Sequence, residues 1–125
     1  GFIDIRFQNR NEHGFFKNAI EMHGIKCPTL LVECKNYSEE MSSPEFDQLA
    51  GRMDNPARGM LGIICCREIK DKKRILSRSH SKISSGKYII VLEDKDFEKL
   101  VKLKLEENSE EINDFMEKKL VEIID

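Results

Sequence analysis

The pattern of hydrophobic and polar residues divides the chain into nine segments, four typical of strands and five typical of helices. Four short segments are apolar runs or apolar–polar alternations, which are typical of strands, and they span residues 2–7, 29–35, 60–66 and 88–92. Five longer segments repeat their apolar residues every three or four positions, which predicts helices at residues 9–23, 43–55, 67–81, 94–105 and 109–123. Because strands and helices follow one another almost one for one, the order predicts an α/β fold with helices flanking a central sheet.

Individual residues mark the ends of several predicted helices. Asn9 or Asn11 is expected to cap the first helix, and Gly24 suits its end. Ser43, which is followed by a proline, is expected to start the second helix. Asp94 is expected to cap the fourth helix, immediately after the last strand.

The two C-terminal helices carry apolar faces that should pack against the rest of the chain. The fourth helix is expected to turn four residues inward, namely Phe97, Leu100, Val101 and Leu105. The last helix has an apolar stripe formed by Ile112, Phe115, Met116, Leu120 and Ile123. This stripe predicts a helix that packs on the core, and a homodimer contact is the alternative.

Two opposite charges close the second predicted strand. Glu33 and Lys35 follow the apolar run 30–32 and are two residues apart, so they share one face of the strand. Burying either charge without a partner is costly. The two residues are therefore interpreted either as a structural ion pair or as part of a site that holds a metal ion and water.

A second carboxylate lies on the preceding strand, at Asp4. An ion pair with Arg6 would explain it, but if the two strands are neighbours, Asp4 and Glu33 converge at one end of the sheet. Two carboxylates and a main-chain carbonyl are ligands that suit Mg²⁺. Lys35 would then orient or deprotonate an attacking water and neutralise charge on a phosphate. The pattern favours metal-assisted hydrolysis of phosphodiester bonds.

These residues resemble the motif of the PD-(D/E)xK, or restriction-endonuclease-like, nucleases. Members of that family have an aspartate on one core strand and Glu/Asp-x-Lys on the next, which Asp4 and 33–35 match. Many also have a glutamine on the following helix, and Gln48 occupies that place. The sequence that flanks the motif is also similar to restriction-endonuclease-like domains of bacterial phage-defence or uncharacterised proteins. The resemblance covers residues 2–92.

The resemblance implies a Mg²⁺-dependent endonuclease, with Mn²⁺ as a substitute metal and DNA as the expected substrate. Asp4, Glu33 and the main-chain carbonyl of Cys34 would hold the metal, Lys35 would act on the water, and Gln48 would position one of these. The implied core is a mixed sheet flanked by helices. Two alternatives stay open: a catalytically inactive nucleic-acid-binding or assembly domain of the same fold, and an α/β interaction module without nuclease ancestry.

Chain length and the abrupt start bear on domain organisation. A chain of 125 residues predicts one domain. The sequence begins inside the first strand, so it is interpreted as an excised C-terminal fragment of a larger protein with other domains. Within it, residues 1–92 are assigned to the nuclease-like core and residues 93–125 to additional helices.

The charge distribution adds a candidate nucleic-acid surface. The net charge is −2, yet residues 67–92 carry 8 basic and 2 acidic side chains, and residues 93–125 carry 6 basic and 12 acidic ones. The basic segment is interpreted either as a surface that faces phosphates or as a solvated helix face. The candidate nucleic-acid contacts are Asn36, Arg52, Arg58, Arg67, Arg74 and Arg78.

The cysteines and the apolar segments bear on the compartment. The four cysteines lack CxxC or metal-finger spacing and are expected to be buried, reduced thiols. No apolar run approaches the roughly 18 residues that a membrane-spanning helix needs. The expected location is the cytoplasm, without a membrane partner.

Overall fold

A computed structural model of the chain, which describes residues 5–8, 14–27, 29–34, 43–55 and 59–125, contains the nine predicted elements in the predicted order. The side chains of residues 5–8, 29 and 43 are not described. The elements are β1 (Ile5–Gln8), α1 (Phe15–His23), β2 (Thr29–Cys34), α2 (Ser43–Arg52), β3 (Leu61–Cys65), α3 (Lys72–Ile83), β4 (Tyr88–Leu92), α4 (Asp94–Leu105) and α5 (Ser109–Ile124). The predicted α/β class is confirmed.

The described strands form one mixed sheet in the order β1-β2-β3-β4. β1 runs antiparallel to β2, whereas β2, β3 and β4 are parallel to one another. The three parallel strands therefore end at the same edge, with Cys34, Cys65 and Leu92, and we call this the carboxyl edge. The register pairs Ile5 with Val32 and Cys34 with Cys65.

Helices cover both faces of the sheet, because alternate side chains of each buried strand point to opposite faces. On one face the strands pack with α1 and α5, and the buried residues are Phe15, Ala19, Ile25, Cys27, Leu30, Leu61, Ile63, Ile90, Leu92, Met116, Leu120 and Ile123. On the other face they pack with α2 and α3, and the buried residues are Leu31, Phe46, Leu49, Ala50, Met53, Ile64, Cys66, Ile75, Ile89 and Val91. We call these the α1/α5 face and the α2/α3 face.

Gly62 lets α2 approach the sheet closely. A Cβ added at this position of β3 would lie 3.1 Å from Met53 Sδ and 3.2 Å from Leu49 Cδ2. Contacts that short require the neighbouring side chains to shift, so a glycine fits where α2 crosses β3. This close approach holds α2 against the face of β2 on which Glu33 lies.

The first helix begins later than expected. Asn9 and Asn11, the predicted caps, lie outside the described residues, and α1 starts at Phe15 after Gly14. The N–H of Phe15 donates to Asn113 Oδ1 on α5, at 3.1 Å. A side chain from α5 thus satisfies an N–H at the start of a helix whose described N-cap residue, Gly14, has no side chain to do so. The predicted end is confirmed, since Gly24 adopts the left-handed conformation with φ of 66°.

The prediction for α4 was wrong about which side faces inward. Phe97, Val101 and Leu105 are 38%, 57% and 80% exposed, respectively. The buried side consists instead of Asp96 and Leu103, with Leu100 packed at the border of the core. The broad apolar stripe predicted from the sequence therefore faces outward, and a narrower side bearing a carboxylate faces α5.

The last helix packs as expected, because Met116, Leu120 and Ile123 are buried among residues of the α1/α5 face. The third helix starts at Lys72, five residues after the predicted start, where Asp71 Oδ1 accepts the N–H of Arg74 at 3.1 Å. None of the helices in the described ranges is both long and apolar enough to span a membrane.

All four cysteines lie in described ranges, and all are reduced. Cys27 and Cys66 are buried, as expected, and Cys65 is half-buried. Cys34 is exposed, so the prediction of burial was wrong there. It is the last residue of β2, at the carboxyl edge of the sheet.

Candidate functional site

Glu33 is buried at the carboxyl edge, one residue before β2 ends. It lies on the same side of the strand as Leu31, so it faces α2 and α3. A carboxylate taken out of water needs compensating bonds to remain charged. The sequence correctly singled out position 33 as a charge in need of a partner.

Arg52 supplies the partner that the structure describes. It is the last residue of α2, and its Nη1 donates to Glu33 Oε1 in a salt bridge. The Arg52 side chain is 24% exposed and that of Glu33 is 1% exposed, so the pair lies mostly inside the protein. Ion pairs of this kind are sensitive to the loss of either member, because the remaining charge is left desolvated.

Gln48 lies on the same helix, four residues before Arg52, so the two residues share one side of α2. The helix that carries Gln48 follows β2 along the chain and packs on the face of the sheet that carries Glu33. The Gln48 side chain is exposed, whereas the Glu33 carboxylate is not.

Four predicted site residues, Asp4, Lys35, Asn36 and Arg58, lie outside the described residues. Within the described ranges, no three His, Cys, Asp or Glu side chains come together in a way that could hold a metal ion. The donors that are described, the Glu33 carboxylate and the Cys34 main-chain carbonyl, are hard oxygen ligands and fit Mg²⁺ in chemical type. The third predicted ligand, the carboxylate of Asp4, lies outside the described residues.

The predicted nucleic-acid contacts on described residues divide into two places. Arg67 follows β3 at the carboxyl edge, and its Nε lies 3.8 Å from Asp94 Oδ2. Arg74 and Arg78 lie one turn apart on α3, where the side chains around a shallow groove are those of Asp71, Lys73, Arg74, Ser77 and Arg78. Arg52 points to Glu33, so its guanidinium is engaged inside the fold.

A second group of buried charges at the carboxyl edge was missed from the sequence. Glu93 follows β4, and its Oε2 accepts the N–H of Ile69 at 2.7 Å. The N–H of Glu93 donates to Asp96 Oδ2 at 2.8 Å, and Asp96 Oδ1 lies 3.1 Å from Lys119 Nζ on α5. These bonds join the β3–α3 connection, the start of α4 and α5. The spacing of Glu93 and Asp96, three residues apart at a helix start, is the capping signal that could have predicted them.

The carboxylates of this group raise the pKa of the neighbouring Lys95. Its Nζ lies 3.1 Å from Glu93 Oε1. The hydrogen bond to Glu93, followed by the negative charge of that residue, raises the pKa of Lys95 above its ordinary value of 10.5. The charges of Asp96 and Glu68 act in the same direction.

Comparisons of the chain with protein-family models, with curated proteins and with solved structures found no significant match. What the chain does has therefore to be inferred from the residues at the carboxyl edge and from the strands that carry them.

Proposed function

We propose that the chain is a metal-dependent nuclease domain with a restriction-endonuclease-like core, which hydrolyses phosphodiester bonds in DNA. One observation carries the proposal. A buried carboxylate, Glu33, lies at the carboxyl edge on the strand that pairs with β1, and Asp4 is the residue of the sequence that immediately precedes β1.

The register of β1 and β2 supports a meeting of the two carboxylates. Ile5 pairs with Val32, and their chain neighbours on the same side of this pair are Asp4 and Glu33. Asp4 immediately precedes Ile5 in the sequence and lies outside the described residues. We infer that the antiparallel register continues by one residue. Opposite residues of an antiparallel pair carry their side chains on the same face, so Asp4 and Glu33 would then converge.

In this proposal Asp4, Glu33 and the Cys34 carbonyl hold Mg²⁺ or Mn²⁺. The bound metal supplies Lewis-acid polarisation of the phosphate and lowers the pKa of water. Lys35 follows Cys34, and strand alternation would turn it to the face of Glu33. A charged ammonium group there would orient the attacking water and would stabilise the negative charge that builds up on the phosphate. Gln48, on the helix that covers this face, is assigned to hold Lys35 or the water in place.

The salt bridge between Glu33 and Arg52 favours a second candidate, a catalytically inactive nucleic-acid-binding or assembly domain of the same fold. A carboxylate whose charge is balanced by a guanidinium inside the protein has a structural role without any metal. The two candidates differ in one respect that can be measured directly, namely whether Glu33 contributes to metal binding.

Cleavage of supercoiled plasmid DNA in the presence of Mg²⁺ or Mn²⁺ tests the nuclease. We expect Glu33→Gln, Asp4→Asn and Lys35→Ala each to lower the cleavage rate at least about 100-fold, the usual effect of losing a group that acts on proton transfer or charge. Matched controls are Glu98→Gln and Lys102→Ala, which change the same kinds of charge on exposed positions of α4. Equal rates for the site variants and the parent chain would rule the proposal out.

Calorimetric titration with Mn²⁺ separates the two candidates even if cleavage is slow. The nuclease predicts binding by the parent chain that weakens at least about tenfold in Glu33→Gln, since one ligand is lost. The inactive domain predicts no metal binding by either protein, with unchanged binding of a duplex oligonucleotide.

A further inference from the structure

The register of the parallel strands aligns two cysteines at the carboxyl edge. Cys34 is the last residue of β2 and Cys65 the last residue of β3, and they are direct partners across the two strands. Strand partners in a sheet carry their side chains on the same face. Cys65 packs at the border of the α1/α5 face, so both thiols belong to that face.

The spacing of neighbouring strands suits a covalent link between these residues. Adjacent strands lie about 4.8 Å apart, and cysteines joined by a disulfide have Cα atoms roughly 4.4–6.8 Å apart. Both residues are strand ends, where the backbone has fewer ladder bonds to disturb. Cys34 is exposed and Cys65 is half-buried, so an oxidant in solution reaches the first thiol and the second lies beside it.

The other two cysteines lack this combination. Cys66 follows Cys65 but points to the α2/α3 face, where it is buried. Cys27 is buried and precedes β2, seven positions before Cys34 at the carboxyl edge. Of the four cysteines, only Cys34 and Cys65 are aligned by the register, and Cys34 is the exposed member of this pair.

We propose that Cys34 and Cys65 are a redox-sensitive modification site that closes into a reversible disulfide across the carboxyl edge. The oxidant is a low-molecular-weight disulfide such as oxidised glutathione. The Cys34 thiolate attacks one sulfur of the oxidant, forms a mixed disulfide and expels one thiolate. The Cys65 thiolate then attacks Cys34 Sγ and expels the second thiolate. The two protein thiols lose two electrons, which reduce the oxidant to two thiolates, and these thiolates take up the two protons that the protein thiols released.

The link would act on the backbone that carries the candidate active site. Cys34 lies between Glu33 and Lys35, so a bond to β3 would tie this segment to its neighbour. The proposal goes beyond the nuclease function and does not depend on it, because the disulfide is detected chemically whether or not the chain cleaves DNA.

The test is to incubate the whole chain with oxidised glutathione and then count thiols after denaturation. The number should fall from the four of the reduced chain to two, and dithiothreitol should restore it. Trypsin releases residues 27–35 and 59–67 as separate peptides, and each contains two cysteines. We expect these peptides to be joined after oxidation, with fragmentation assigning the bond to Cys34 and Cys65.

Single substitutions provide the controls. Cys34→Ser and Cys65→Ser should each abolish the link between the two peptides, whereas Cys27→Ala and Cys66→Ala should retain it. A bond that involves Cys27 or Cys66, a link between two chains, or glutathione that stays on Cys34 without further exchange would overturn the proposal. Because fragmentation assigns the bond in the unsubstituted chain, the result does not depend on how well any variant folds.

Discussion

Arg52 is the residue on which the buried carboxylate at the candidate site depends. Its guanidinium donates to Glu33 from α2, and 24% of its side chain still reaches solvent. Water therefore screens the pair in part, so the cost of breaking it should fall below that of a fully enclosed pair.

Replacing Arg52 by alanine is expected to lower the free energy of unfolding by about 2 to 3 kcal/mol, below the roughly 3–5 kcal/mol found for fully buried pairs. The loss should come from the charge left on Glu33, so adding Glu33→Gln to Arg52→Ala should recover part of it. Urea unfolding measures both values, provided that the m-value is unchanged. Lys82→Ala, which removes a more exposed pair with Asp47, is the control and should cost less than about 1 kcal/mol. An equal loss in Arg52→Ala and in the double variant would contradict this explanation.

Sequence reasoning found the buried charge but not its partner, for a physical reason. Alternation along β2 is a local pattern, and it predicted that Glu33 would share a face with the residue two positions away and not with Val32. The partner comes from a helix 19 residues away, and which helix residue reaches Glu33 depends on how α2 is rotated on the sheet. That rotation is set by tertiary packing, including the close approach at Gly62.

Lys95 offers a test of the second group of charges, at the residue level. Because Glu93 raises the pKa of Lys95, the folded state holds the ammonium proton more tightly than the unfolded chain does. The stability that this interaction contributes is therefore fully present below pH 10.5 and is lost as pH rises through the higher folded-state pKa. We expect Glu93→Gln to return the pKa of Lys95 towards 10.5, as followed by NMR titration of the side-chain nitrogen. A pKa that does not move would show that Glu93 is not the cause.

At the scale of elements, hydrophobic pattern predicted the order of strands and helices but not the orientation of α4. The stripe of Phe97, Val101 and Leu105 is the more apolar side of this helix, yet it is exposed. The opposite side is fixed by specific bonds: Asp96 accepts the N–H of Glu93 and pairs with Lys119. A helix orientation determined by capping and ion pairs cannot be predicted from apolar periodicity alone.

The orientation of α4 is tested by two truncations of similar chemistry. Leu103→Ala removes a buried side chain and should cost about 2 kcal/mol of unfolding free energy. Val101→Ala removes an exposed one and should change stability by no more than about 0.5 kcal/mol. Thermal or urea unfolding of both variants measures the difference. The reverse order of effects would mean that the face predicted from the sequence is the one that packs.

At the scale of the whole molecule, the basic segment 67–92 is less available to a polyanion than its net charge suggests. At least five of its eight cations form ion pairs with described residues, namely Arg67, Lys72, Arg74, Lys82 and Lys87. The pair of Arg74 with Asp71 is long, at 3.7 Å, and both side chains are exposed, so a phosphate could compete for the guanidinium. The groove on α3 is therefore the part of the basic segment best suited to contact DNA.

Salt dependence of DNA binding tests this surface. The logarithm of the association constant falls linearly with the logarithm of salt concentration, by about 0.9 per phosphate contact. If Arg74 and Arg78 each neutralise one phosphate, replacing both by alanine should make this slope shallower by roughly 1.8. Fluorescence anisotropy with a duplex oligonucleotide measures the slope. The matched control is the double variant Lys102→Ala and Lys104→Ala, which removes two exposed cations from α4. An equal change in both double variants would indicate a general effect of net charge and not a contact on α3.

The contacts between α1 and α5 have a consequence for how the chain is made. The N–H of Phe15 is capped by Asn113, 98 residues later, and His23 Nε2 lies 2.5 Å from Glu117 Oε1, 94 residues later. A ribosome adds roughly 5–20 residues per second, so about 5–20 s pass between the synthesis of a helix start and of its cap. During that interval the apolar side of α1 has no α5 to cover it. The apolar side of α1 is therefore open to aggregation until α5 has been synthesised.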